Sequence, residues 1–212
     1  MPYAASPYAA LRESAANLAP RSVATRAATV AVLGAAFGFL TAWAAIKDGP
    51  PFGAAHAGVW IAWPRSGAPD LDPYARAYFA RSGAMPVGLG EGLAFRATTD
   101  QDGWPLEGRC VYRLMMGAPP ARYWTLNVHD ATGAPIANLA QRHAMISSDL
   151  VRDAERGGEI VIAARVRAGE WLPAPANGRF ALSLTLYDTP LAGSTTAVVG
   201  LALPLVMRES CA

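Results

Sequence analysis

The sequence predicts a mainly β protein: an antiparallel β-sandwich or jelly-roll-like domain with one surface helix, preceded by a single transmembrane helix. Three observations carry this reading. Residues 27–46, AATVAVLGAAFGFLTAWAAI, hold no charge, and at about 1.5 Å per residue they reach roughly 30 Å, the thickness of a bilayer's hydrocarbon core. Beyond residue 90 apolar residues recur with a period of two in segment after segment, as strands with one buried face do. Strand and helix patterns do not alternate, so a parallel doubly wound sheet has no support, and facing antiparallel sheets bury one-sided strands best.

The formal charge of +2 lies before the apolar run, where Arg12, Arg21 and Arg26 stand against Glu13, and the chain from Lys47 onward is balanced. That bias puts the N-terminus in the cytoplasm and translocates the rest. Residues 1–26, rich in Ala, Pro and Ser, read as a mobile cytoplasmic tail; 27–46 as the transmembrane helix in contact with membrane lipid; 47–57, with Pro50 and Pro51, as a juxtamembrane connector; and 58–212 as the extracytoplasmic β-rich domain. A cleaved signal peptide competes, because residues 42–45 resemble a cleavage site, although the apolar run is longer than a signal core. The balanced outer domain gives no basic footprint for nucleic acid. Cys110 and Cys211 both lie beyond the anchor, where an oxidising compartment would permit a disulfide; the alternative is two unrelated cysteines.

In chain order, GVWIAWP (58–64) predicts a first strand, with Trp60 and Trp63 available to the core or to the lipid interface. DLDPYARAYFARS (70–82) predicts the surface helix: Asp72 caps, Pro73 opens, Tyr74, Ala77 and Tyr78 form the stripe, and Gly83 stops it. GLAFRAT (92–98) places Leu93, Phe95 and Ala97 on one face. RCVYRLMM (109–116) and YWTLNVHD (123–130) follow, the latter with Trp124, Leu126 and Val128 together. Ala131-Thr132-Gly133 into APIANLA reads as a hairpin. RHAMIS (142–147) is a weaker strand, and SSDLVRDAERGG (147–158) holds a helical turn. EIVIAARV (159–166) is extended, with Ile160, Ile162 and Ala164 inward. RFALSLTLYD (179–188), with Phe180, Leu182, Leu184 and Leu186 on one side, is the cleanest strand. VVGLALPLVM (198–207) contains Gly200 and Pro204 and is too short to span, so it predicts a last core strand.

The WTLNVHD strand, the GEWLPAP block (169–175) and the strand ending LYDTP together resemble the bacterial family called domain of unknown function 1214, over about residues 90–190. The resemblance implies a small β-sandwich domain, here in a small membrane-anchored form. It therefore implies a bacterial inner membrane crossed once, with the C-terminal domain in the periplasm. The family brings no established catalytic set to transfer.

The chemical candidates are few. His129-Asp130 and Arg142-His143 combine a group titrating near neutrality, a carboxylate to orient it and a cation for anions, which makes a small polar binding site conceivable near the hairpin. Regular alternation, however, turns His129 towards solvent, away from the face of Trp124. Trp171 and Leu172, stiffened by two prolines, read as a loop covering the core or as a binding loop. With His56, the chain has three histidines. None has metal-ligand spacing, so no metal and no cofactor is expected, and nucleophile elbows, phosphate loops and dinucleotide fingerprints do not occur. Asp72, Glu91, Asp100, Asp102, Glu107 and Asp149 could supply paired carboxylates only if the fold gathers them. No catalytic residue is assigned. The leading expectation is a tethered envelope domain that binds a protein, glycan or lipid-derived ligand. The alternatives are an anchored hydrolase or isomerase acting on an envelope carbohydrate, and a structural subunit of a membrane assembly.

Overall fold

The structure, a computed structural model, describes residues 8–47, 49–151 and 158–212, with side chains from Ser22 on. It divides into two units, Met1–Lys47 and Asp48–Ala212. The first seven residues of the expected tail, and residues 152–157 of the expected helical turn, lie outside the described residues.

Helix α1 of the first unit runs Tyr8–Ile46. Residues 8–26, where composition predicts a tail, are therefore helical. A segment that cannot build a core can still be a good helix former, and the Ala, Leu, Arg and Glu of AALRESAANLA are such residues. Within α1, Ser22–Ile46 is 25 residues long with a mean hydropathy of 1.9, about 37 Å of helix, enough to cross a membrane. Its large side chains are exposed, Phe39 at 78%, which suits contact with membrane lipid.

The second unit is β-rich. Its elements are β1 Ala55–Ala57, β2 Trp60–Ala62, α2 Pro73–Ser82, β3 Gly92–Ala97, β4 Cys110–Met116, β5 Tyr123–Asp130, β6 Ala144–Ile146, β7 Gly158–Ala163, β8 Trp171–Pro173, β9 Phe180–Tyr187 and β10 Leu205–Cys211. They form a six-stranded sheet in the order β1-β2-β3-β9-β5-β6 and a four-stranded sheet in the order β10-β4-β7-β8. The two sheets pack face to face around one core. Leu93, Phe95, Trp124, Leu126, Leu182, Leu184 and Leu186 come from the first, and Tyr112, Leu114, Ile160, Ile162 and Leu172 from the second. Tyr112 and Phe180 meet edge to face across the interface, with ring centroids 5.6 Å apart. The inward faces of β3, β5 and β9 are those the alternation predicts, because a period of two leaves one face for apolar residues.

Several local expectations change. The connector expected to run to residue 57 already holds β1, since Gly58 at φ 61° lets the chain turn straight into β2. Trp60 is a core residue, 1% exposed, whose indole N–H donates to the Pro204 carbonyl at 2.8 Å. Trp63 is half-buried against Tyr78 and donates to the Pro50 carbonyl at 3.0 Å. In α2 the Asp72 carboxylate accepts from the Tyr74 and Ala75 amides at 3.0 Å, and Gly83 at φ 65° ends the helix. Its buried face is Ala75 and Tyr78, whereas Tyr74 and Ala77 face outward. β7 ends at Ala163, leaving Ala164 exposed.

The hairpin after β5 does not close on APIANLA: Pro135 makes only an isolated bridge to His129, and the pairing strand is β6. The WLP segment is β8 rather than a loop, and it runs parallel to β7, the one parallel pair in the described sheets. The last strand starts after Pro204, not at Val198, because a proline inside a strand removes a ladder donor. Cys110 and Cys211 form a disulfide between facing positions of β4 and β10.

Candidate functional site

The register of the central strands builds a polar surface on the face of the six-stranded sheet that turns away from the core. Arg96 of β3, Ser183 of β9 and Asn127 of β5 stand in one row, and Ala94, Thr185 and Thr125 in the next. His129 lies beside Ala181 in the row beyond Ser183. Their chain neighbours Phe95, Leu184 and Leu126 are core residues, so strand alternation sends these side chains outward. Helix α2 and residues 83–87 partly cover this face. What remains is a groove of about 450 Å³, with Trp63, Tyr78, Phe79, Met85 and Tyr187 around Arg96, His129, Ser183 and Thr185. A hollow of about 220 Å³ shares Trp63 and Phe79 with it, but carries the Arg65–Asp70 ion pair among its lining residues.

The groove's electrostatics are one-sided. Arg96 Nη1 donates to the Tyr78 hydroxyl at 3.1 Å, and no Asp or Glu among the described residues lines the groove. His129, expected towards solvent, is half-buried, because the covering helix and the segment after it make this outer face a second, smaller interior. Burial pushes its pKa below the ordinary 6.5, and the Arg96 charge acts in the same direction against the weaker pull of Asp130. Burial thus favours the neutral ring. Its Nδ1 is buried and meets no aligned hydrogen-bond partner among the described residues, and the nearby Gly133 backbone pulls the ring's pKa weakly the other way.

A histidine whose folded pKa lies below its unfolded one makes stability depend on pH in a definite direction. Below about 6.5 the unfolded chain takes up a proton that the folded chain refuses, so stability falls with pH until the folded pKa is reached. Denaturant titrations followed by tryptophan fluorescence should show the difference between His129→Gln and the unaltered chain moving in favour of the variant from pH 7.5 to 5.5. A pH-independent difference would show that His129 is not held neutral.

Of the five residues singled out in the sequence, His129 alone lines the groove. Asp130 caps the turn that follows, its Oδ1 accepting from Thr132 N and Oγ1 and from Ala134 N at 2.8, 2.6 and 2.9 Å. These bonds hold its carboxyl below the usual range. Arg142 Nη2 lies 3.2 Å from Glu170 Oε2, and its amide donates to the Asn138 side chain. His143 is exposed, with Nδ1 3.1 Å from the Ile136 carbonyl oxygen. Trp171 belongs to the other sheet, where its indole donates to the Ala163 carbonyl at 2.9 Å.

Sequence reasoning misses Arg96, Tyr78, Ser183 and Thr185 because their meeting depends on β9 inserting between β3 and β5, which no single segment reveals. The available signal is the polar outer residues of strands whose other face is pure core. The six carboxylates considered for acid–base pairing are likewise absent from the groove: Asp72 caps α2, Glu107 pairs with Arg109 at 2.6 Å, and Asp100 pairs with Arg208 at 2.7 Å. Among the described residues no group of three His, Cys, Asp or Glu side chains could hold a metal ion.

The unit is similar in fold to the VPA0106 protein from Vibrio parahaemolyticus, with a TM-score of 0.53 at 17% identity; the likeness covers 69% of this chain and 37% of that one. An uncharacterised protein from Burkholderia cenocepacia matches at a TM-score of 0.36 and 20% identity, over 68% of this chain and 46% of that one. The chain thus spans less than half the length of either protein. No curated protein matches it. Residues 91–191 match the family described as Protein of unknown function (DUF1214), an interval from just before β3 to just past β9 that contains most of the groove's sheet floor. The chain carries a DUF1214-like domain together with an N-terminal apolar helix consistent with membrane anchoring.

Proposed function

We propose that this protein is a membrane-tethered binding domain, and that the groove on the outer face of its six-stranded sheet is where the ligand sits. The observation that carries the reading is the groove's lining: a cation, a half-buried histidine and hydroxyl groups, framed by aromatic rings. Such a lining holds a polar ligand. A general acid and base working as a pair would need a second titrating group of suitable pKa beside His129, and the groove's other titratable side chains are Arg96, Tyr78 and Tyr187. On this reading the tether holds the domain at a bacterial inner membrane, with the N-terminus cytoplasmic and the β-rich part periplasmic. Arg12, Arg21 and Arg26 ahead of the apolar stretch and the Cys110–Cys211 bond support that orientation. Ligands are then envelope glycans or protein segments.

The full chain in lipid nanodiscs, labelled at alanine and methionine methyl groups, tests the binding role by NMR. Envelope-derived oligosaccharides or peptides that bind should shift the Ala94 and Ala181 methyls on the groove floor. Met145, buried in the core at 0% exposure, should stay unchanged. If saturating ligand leaves Ala94 and Ala181 where they were, the groove is not the binding site.

A further inference from the structure

The lining of the groove points beyond a polar ligand in general. We propose that its ligand is a hydroxylated ring bearing a carboxylate, the chemistry of an acidic sugar, and that Arg96 receives the carboxylate; this rests on the groove being the binding site.

Arg96 differs from six other arginines of the domain. Arg65, Arg109, Arg113, Arg122, Arg142 and Arg208 each lie within ion-pair distance of a carboxylate. Arg96 faces into a groove and meets a neutral phenol there, with no acidic partner among the described residues. A guanidinium presents several N–H donors in a planar fork that matches a carboxylate in two parallel bonds. One nitrogen is on the Tyr78 hydroxyl, so the rest of the fork is left for a ligand. The position is fixed from both sides, because Arg96 pairs with Ile61 of β2 and Ser183 of β9 in the sheet.

The remaining walls suit the rest of such a molecule. Ser183 and Thr185 on β9 offer hydroxyls that can give or accept hydrogen bonds, as sugar hydroxyls do. His129 Nδ1, buried with no aligned partner among the described residues, is a further polar atom for the ligand. Tyr78 and Trp63, stacked with centroids 6.5 Å apart, supply apolar ring faces for the C–H side of a pyranose. A volume of about 450 Å³ admits one or two sugar rings. A ligand cation would meet Arg96 with no carboxylate among the described lining residues to offset it, so cationic ligands are disfavoured.

The full chain in nanodiscs of zwitterionic lipid, which adds no anionic headgroups, separates the alternatives. D-glucuronate, D-glucuronamide, D-glucose and inorganic phosphate are titrated against the Ala94 and Ala181 methyl signals, with Met145 as the reporter of an intact core. Glucuronate should bind about 10-fold or more tighter than its amide or glucose, as a charge-assisted hydrogen-bonded pair requires. Arg96→Gln should abolish that preference and Arg96→Lys, which keeps charge without the fork, should retain part of it. If Arg96→Gln disturbs Met145, the lysine variant carries the comparison. Equal binding of glucuronate and glucose, unchanged in Arg96→Gln, would overturn the carboxylate assignment while leaving the groove a binding site. Phosphate binding in place of glucuronate would overturn it too, as would envelope peptides binding where no sugar does. Silence of the groove methyls towards every probe would overturn both readings.

Discussion

Replacing Asp100 by alanine should cost the domain about 3–5 kcal/mol, the usual consequence of leaving one member of a buried ion pair behind. Asp100 is 1% exposed; its Oδ1 is hydrogen-bonded, while its Oδ2 and Arg208 Nε form a close ion pair that lacks hydrogen-bond alignment. Oδ1 accepts from the Asp102 and Trp104 amides at 3.1 and 2.9 Å, while Oδ2 lies 2.7 Å from Arg208 Nε. Arg208 in turn donates to the Pro105 carbonyl at 2.9 Å and rests over the Tyr112 ring. The neighbouring Gln101 amide donates to the Val206 carbonyl. One carboxylate therefore shapes the turn after β3 and fastens that turn to β10. Asp100→Asn, which keeps an acceptor for the turn amides, should lose less. Arg208→Met added to Asp100→Ala should recover part of the loss, because it removes the stranded charge. Urea denaturation of the unaltered chain, the two Asp100 variants, Arg208→Met alone and the double variant closes the cycle, and a loss under about 1 kcal/mol in Asp100→Ala would refute the clamp.

The second large effect is at the disulfide. Cys110 and Cys211 are 101 residues apart, and a loop of that length corresponds to about 4.7 kcal/mol in the chain-entropy picture, with native bonds typically contributing about 2–5. Cys110→Ala with Cys211→Ser should lower stability by an amount in that range. Amide exchange should accelerate first in β10, the edge strand that the bond holds to β4. The same bond reports on location. Thiols trapped with a maleimide in intact cells should label only after reduction if the domain lies on the oxidising side, and labelling without reductant would contradict the proposed placement.

The strands with one uninterrupted apolar face are legible in the sequence, since Leu93, Phe95, Trp124, Leu126 and the run Phe180 to Leu186 advertise the core by period alone. The cap of α2 is equally legible, because Asp72, Pro73 and Gly83 act on their own few residues. What stays hidden depends on partners distant in sequence. Trp171 cannot be recognised as part of a strand without Val161 opposite it, and the start of β10 is set by pairing with β4 rather than by the apolarity of Val198 and Val199. His129 shows the limit most clearly. Alternation assigns its face correctly, but solvent exposure does not follow when a helix some 50 residues earlier in the chain folds over that face. Arg96 escapes notice for the same reason: in GLAFRAT it reads as an ordinary outward charge.

The sheet margins bear on how copies of this domain would meet if α1 anchors them in a membrane. β1, β6 and β8 are three residues long, and β8 ends in Pro173. β10, the one long margin, has a register break between Arg208 and Ser210, and it carries Arg208 and Glu209. Short, broken or charged margins give a neighbouring chain little to zip onto. Anchoring by α1 would raise the encounter rate between copies well above that of the same number free in solution. Copies brought together at high density would then meet edges that give little purchase for strand-to-strand pairing.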